Sequence, residues 1–288
     1  MEHLPSSYAH PRRNDMEMEE CVALPATVAW HSEAVNRVIQ TMRSHLGEPF
    51  SLRKMAEIAI VSRYHFNRMF RHLTGIPPCQ FLWALRLEAA KRRLLTTQDS
   101  VTEICYDIGY NSLGTFIRRF TALLGTSPGR FRSMGQTSTD YVTNLLSLSA
   151  KVTEAQSRGA IAGEVSAPEG FSGLIFIGLF TDPIPQGVPV ACTILSQPGA
   201  YRLANAPEGL FHLFAAGLPW AADPQTYFLY ESALRGGGQQ IQIAVGEVIG
   251  STSISLRPPE PLDPPILLTL PFLSARQTHA EHESGALR

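Results

Sequence analysis

The sequence predicts two domains of different class, an all-α domain built on a repeated helix-turn-helix unit and, after it, a small all-β sandwich. Three observations carry that reading. The chain has 288 residues, enough for two cores of ordinary size. A pattern of serine-led helices occurs twice between residues 31 and 133. Beyond residue 165 the texture changes to short apolar runs cut by proline and glycine.

Charge divides the chain in the same way. The formal net charge of −1 conceals a basic middle: residues 31–135 hold 15 Lys and Arg against 7 Asp and Glu, a net +8, while 1–30 stand at −3 and 136–288 at −6. Such asymmetry suggests a local polyanion-binding region, although a solvated helical surface would give the same balance. The four cysteines (Cys21, Cys79, Cys105, Cys192) show no paired or metal-ligand spacing, as expected of buried thiols in a reduced cytosolic chain. The opening residues lack an apolar signal region, and no run approaches a membrane span. The expectation is a cytoplasmic chain with no membrane partner.

Residues 1–26 are acidic and proline-punctuated and are expected to be a disordered tail. From residue 27 to 135 the period is helical. Val35, Val38, Ile39, Met42 and Leu46 line one face, and Gly47 stops that helix. A linker is expected over 136–164, the β domain over 165–272, and a frayed tail over 273–288.

The repeat sets the local structure. Ser51 and Ser100 are placed to cap short helices, and Ala56 and Cys105 are small residues that let the next helix cross closely. The turns contain Ile60-Val61 in one copy and Gly109-Tyr110 in the other, where Gly109 permits a positive φ. Ser62 and Ser112 then open longer helices, about 62–73 and 112–124. Each stops at a glycine (Gly75, Gly125) with a proline three residues on (Pro78, Pro128).

The first longer helix separates into two faces. Phe66, Met69, Phe70 and Leu73 make an apolar stripe, while Tyr64, Asn67, Arg68 and Arg71 stand opposite without an acid among them. Phenol, amide and guanidinium groups suit base edges and phosphates of a major groove. In the second helix Phe116, Phe120 and Leu123 face the core, leaving Gly114, Thr115, Arg118 and Arg119 towards DNA. Leu113 and Ile117 lie near that face, and either thymine methyl contact or packing against neighbouring helices accounts for them. Candidate phosphate contacts are Ser62, Arg63, Arg71, Ser112, Thr115 and Arg119. Between the units, Cys79–Leu95 reads as one stiff helix of roughly 24 Å. With the widths of two modules added, it can hold two reading helices one DNA turn of roughly 34 Å apart. Arg86, Arg92 and Arg93 on it are expected at the surface.

These residues resemble the AraC/XylS family of transcription regulators. The likeness rests on Phe66-x-Arg68-x-Phe70, on Gly75-x-x-Pro78, on Arg86-Leu87 with Ala89, on Ile104 before Gly109-Tyr110, and on Phe116-x-x-x-Phe120 closing through Gly125-x-Ser127-Pro128-x-x-Phe131-Arg132. The resemblance implies a seven-helix domain that inserts both recognition helices into successive major grooves of promoter DNA. It implies contact with RNA polymerase and activation, less often repression. Carried over by position, it makes Tyr64, Asn67, Arg68, Leu113, Gly114, Ile117 and Arg118 base-facing. Cys105 replaces the usual alanine. The DNA-binding domain also comes first here, whereas most members place it last, so no effector can be carried over.

Residues 165–272 are similar, more loosely, to transthyretin-like sandwiches of carboxypeptidase regulatory domains, through Pro185-x-Gly187-Val188, Gly199-Ala200-Tyr201-x-Leu203 and Pro207-Glu208-Gly209. Strands are expected at 174–180, 188–195, 201–204, 210–215, 227–230, 241–248, 253–256 and 266–270. Gly236-Gly237-Gly238 reads as a hairpin or loop linker and His212 as structural. Trp220, Tyr227, Phe228 and Tyr230 suit a β core or a ligand pocket. No nucleophile elbow, zinc-protease motif, phosphate loop or spaced carboxylate pair occurs, so no enzyme, catalytic residue, metal or cofactor is expected. A homodimerisation or partner-binding module, a small-molecule sensor, and a carbohydrate-like binding or catalytic module localised by the DNA-binding half all remain open for this domain.

Overall fold

A computed structural model describes residues 25–136, 159–221, 226–244 and 246–268. Residues 1–24 and 273–288 of the expected tails and most of the expected linker lie outside these residues, while Pro25 and Ala26, read as tail, open the first helix. The helices are α1 (Pro25–Ser44), α2 (Leu52–Ala59), α3 (Arg63–Thr74), α4 (Pro78–Thr96), α5 (Val101–Asp107), α6 (Leu113–Leu124) and α7 (Pro128–Gln136). They make two units that share α4. The stripe of Val35, Val38, Ile39 and Met42 is fully buried, joined by Phe66, Phe70, Phe81, Phe116, Phe120 and Phe131 in one continuous core.

Local chemistry explains where these helices begin and turn. Ser51 accepts a hydrogen bond from the Lys54 amide, and Ser100 and Glu103 form a reciprocal capping box. The α2–α3 turn places Ile60 at φ 60°, a left-handed conformation unusual for a β-branched residue. The equivalent turn uses Gly109 at φ 87°, where a Cβ would sit 2.5 Å from both the Leu46 carbonyl and the Arg86 guanidinium. Gly109→Ala is expected to destabilise the fold by about 1–3 kcal/mol, read as a lower urea midpoint. An unchanged midpoint would show that the turn relaxes freely.

The second half begins earlier than expected. Strand β1 (Gly159–Ser166) opens inside the stretch read as linker, because its small residues hide the alternation that marks a strand. It is the middle strand of a three-stranded sheet, antiparallel to β4 (Gly199–Ala206) and parallel to β7 (Val248–Ser255). A four-stranded antiparallel sheet runs β3 (Ala191–Leu195), β2 (Gly173–Phe180), β5 (Gly209–Pro219), β6 (Leu234–Ile243). Ile161, Val165, Leu203 and Ile254 meet Ile175, Ile177, Leu179 and Leu213 between the sheets.

Three readings need correction. Gly236–Gly238 lie within β6, not in a loop; the β5–β6 register shifts after Leu213, and Gly237 takes φ 87° at that bulge. Tyr227–Tyr230 form no strand, since Thr226–Leu229 make a single helical turn, α8. Ile266–Leu268 form no strand either: Leu267 makes one isolated bridge to Gln186, and Ile266 and Leu268 pack over β2 instead of pairing with it.

All eight residues of β2 are buried, and the period of two explains why. Its odd-numbered side chains enter the inter-sheet core. Leu174, Phe176 and Phe180 point the other way, under Tyr227, Tyr230, Ile266 and Leu268. That covering layer also meets the helices: Phe228 stacks edge-to-face on Phe131 at 5.6 Å, and Ile184 and Leu267 are buried in the helical core. The aromatics read as core or pocket therefore divide, with Phe228 and Tyr230 holding the two halves together and Trp220 remaining 45% exposed.

Candidate nucleic-acid interface

Both long helices begin on a serine whose hydroxyl accepts a backbone N–H three residues on, Ser62 from His65 and Ser112 from Thr115, each at 3.4 Å. Both end at glycines in the left-handed region, Gly75 and Gly125. Along α3, Phe66, Met69 and Phe70 are buried, while Tyr64 is 87% exposed and Asn67, Arg68 and Arg71 stand open beside Arg63. Among the described residues, Arg63, Arg68, Arg71 and Arg118 form no ion pair. Their charge is therefore available to a polyanion.

The face of α6 is less open. Gly114 and Arg118 are exposed and Thr115 half-buried. Leu113 packs against the helical core, whereas Ile117 remains 37% exposed, so the two apolar residues have different surroundings. Arg119 places its guanidinium 3.8 Å from the centre of the Trp83 ring. That contact ties α6 to α4 and engages one of the phosphate candidates.

The joining helix, α4, has 19 residues, which makes it about 28 Å long. Of its arginines Arg92 is exposed as expected, but all three have protein partners. Arg86 is buried and donates from Nε to the Leu46 carbonyl at 3.0 Å and from Nη2 to the Glu48 carbonyl at 2.9 Å. These carbonyls follow the end of α1, where helical partners run out. Arg132 repeats the device one unit later, donating to the carbonyls of Leu94 and Asp99. Arg93 bridges Asp99 and Asp107, and Arg92 pairs with Glu231 of the β half at 2.7 Å. Periodicity assigns a side chain to a face but cannot say that the face is covered.

Lys91 is another residue missed by the sequence reading. It is fully buried, donates to the Ile266 carbonyl at 3.3 Å and lies 4.7 Å from the Tyr230 ring centre. Burial pushes its pKa down to about 7, against the pull of Glu88 and Glu231. The available signal was its place on the Leu87–Leu94 stripe of α4.

The loop 182–187 joins the β half to the ends of both reading helices. Gly187 donates its N–H to the Leu123 carbonyl at 2.6 Å, capping α6. At the other end, the Pro183 carbonyl lies 4.0 Å from where a Cβ on Gly75 would be, at the close of α3. Ile184 is fully buried among the helices between these points. The loop thus braces the two units against each other.

Two exposed, serine-capped helices carried on a shared helix define a tandem helix-turn-helix domain. Residues 55–134 match the family described as "Helix-turn-helix domain", and they are an AraC-family helix-turn-helix DNA-binding domain. The chain is 29% identical over 113 residues to the bifunctional transcriptional activator/DNA repair enzyme AdaA of Bacillus subtilis, covering 39% of this chain and 54% of that one. It is 28% identical to the transcriptional activator AarP of Providencia stuartii, over 36% of this chain and 76% of AarP. The solved DNA-binding domain of AdpA, in complex with a target DNA, is 33% identical, with a TM-score of 0.36 over 37% of this chain and 96% of that chain. The chain spans about half the length of AdaA. No helix among the described residues is long and apolar enough to cross a membrane.

Proposed function

We propose that this chain is a transcription regulator that binds duplex promoter DNA, with α3 and α6 entering successive major grooves. The observation that carries this reading is the exposed, acid-free face of α3. Tyr64, Asn67 and Arg68 are assigned to base edges, and Ser62, Arg63 and Arg71 to phosphates. In α6, Arg118 supplies the main polar reading group beside Gly114 and Ile117, with Leu113 at the margin. Ser112 and Thr115 sit at the start of α6, where phosphate can meet backbone N–H groups, and Arg119 reaches phosphate only by leaving Trp83. Sequence preference is concentrated under α3. Activation is favoured over repression because the relatives AdaA and AarP are transcriptional activators, and contact with RNA polymerase is part of the same proposal.

Duplexes selected from a random library by the full chain supply the test. Arg68→Ala is expected to cost about 1–3 kcal/mol at a selected site and to relax preference at one or two base pairs. Unchanged affinity and preference would remove Arg68 from its role. Duplex RNA should compete poorly, because its deep narrow groove does not admit these helices.

A further inference from the structure

A cavity of about 180 Å³ lies beneath residues 264–268, on the side of the four-stranded sheet that faces the helices. That is far above the roughly 10–15 Å³ a single water needs. Its apolar lining includes Phe176, Phe214 and Ile266, and its charged lining is Arg235, Arg257 and Asp263. Asp263 accepts both Nη groups of Arg257, at 2.9 and 2.7 Å, so that pair is internally neutral. Arg235 is not matched in this way. Its Nη1 donates to the Pro264 carbonyl, while its buried Nε has no hydrogen-bond partner among the described residues. The lining residues themselves sum to one positive charge, which Glu260 on the outer side of Arg257 at 3.4 Å partly offsets, and the Arg235 Nε is an unspent buried donor aimed at the cavity, an arrangement costly for an empty pocket and suited to an anion.

We propose that this cavity binds a small organic monocarboxylate with an aromatic or branched apolar body, and that its occupancy adjusts how the two helix-turn-helix units are braced. The carboxylate sits on Arg235 and the body lies against Phe176, Phe214 and Ile266. Burial holds the Arg235 pKa below its usual value despite the opposing pull of Asp263 and Glu88. The guanidinium disfavours organic cations.

The link to the helices runs through hydrogen bonds. A carboxylate on Arg235 competes with the Pro264 carbonyl, at one end of the segment covering the cavity. Within that segment the Ile266 carbonyl accepts from Lys91, and the Leu267 N–H donates to the Pro185 carbonyl at 2.9 Å. Pro185 belongs to the loop whose Gly187 caps α6. Displacing residues 264–268 therefore acts on the loop that caps α6 and approaches the end of α3. This second part rests on the DNA-binding reading; binding in the cavity does not.

Calorimetry on the full chain, without DNA, decides the first part, using benzoate, phenylacetate and hexanoate beside their primary amides. We expect at least one carboxylate to bind saturably, with its amide weaker by about tenfold or more. Arg235→Gln should weaken that carboxylate by about tenfold, and Ala216→Leu, which fills the apolar lining, should abolish binding while the melting transition stays cooperative. If no carboxylate binds, if the amides bind equally, or if both variants bind as the parent does, the cavity is not a carboxylate site. In the second part, the bound carboxylate should change affinity for a selected duplex by about fivefold or more; no change would overturn the coupling and leave the site standing. A chain that selects no duplex would overturn the DNA reading, and the calorimetry would still judge the cavity.

Discussion

Ile184→Asp is expected to separate the β half from the helices at a cost of about 3–5 kcal/mol. Ile184 is fully buried in the helical core, so the substitution removes an apolar side chain and places an uncompensated carboxylate where water cannot reach it. Fluorescence can follow each half, since Trp30 and Trp83 lie in the helices and Trp220 in the β half. With Trp220→Phe as background, urea unfolding of the helices should shift to a lower midpoint and part from the β transition followed by circular dichroism. A single transition at the parental midpoint would show that the loop is not a brace. Because the same loop contacts α6 and approaches α3, duplex affinity should fall with docking, although no DNA-facing residue has changed.

Stability is expected to rise between about pH 7 and pH 10 because of Lys91. In the folded chain burial holds its pKa at about 7, whereas an unfolded lysine titrates near 10.4. Between these values the unfolded chain binds more protons, so raising the pH favours folding. The gain is complete above the unfolded pKa and is lost as pH falls through the folded one. Its ceiling is about 3–5 kcal/mol, from the separation of the two pKa values. Glu88, Glu231 and Arg235 all act on this ammonium, so the slope includes their charges. Lys91→Met should flatten the dependence and raise stability near neutral pH, since a methionine of similar length loses no hydration there. Urea midpoints at about pH 6, 8 and 10 measure both effects. A parental slope retained in Lys91→Met would assign the titration elsewhere.

The helical half was readable because its signals are local. Ser62 and Ser112 cap, Gly75 and Gly125 stop, and the stripe Phe66, Met69, Phe70 lies within one helix, where spacing alone chooses the face. Both polar faces follow from the same spacing. Strand β1 was less legible, since Gly159, Ala160, Ala162 and Gly163 weaken the alternation. Tyr227–Phe228 read as strand because aromatic content is shared by strands and short helical turns. Nothing near Arg235 in sequence marks it as a cavity residue, because Phe176 and Asp263, which line the same space, are distant in the chain.

By itself the sequence determined the two domain classes, the repeated units, the caps and the acid-free face of α3. All of these depend on contacts within a few residues. Tertiary structure alone decided that Arg86 is a buried clamp, that Arg119 rests on Trp83, that Lys91 is enclosed by Tyr230 and Ile266, and that Ile184 enters the helical core. Each of those depends on which surface the fold brings opposite. A period of 3.6 or 2 fixes the direction of a side chain but leaves its partner to long-range packing. The tandem units were legible one at a time; the brace between them became visible only when residues 182–187 reached the helices.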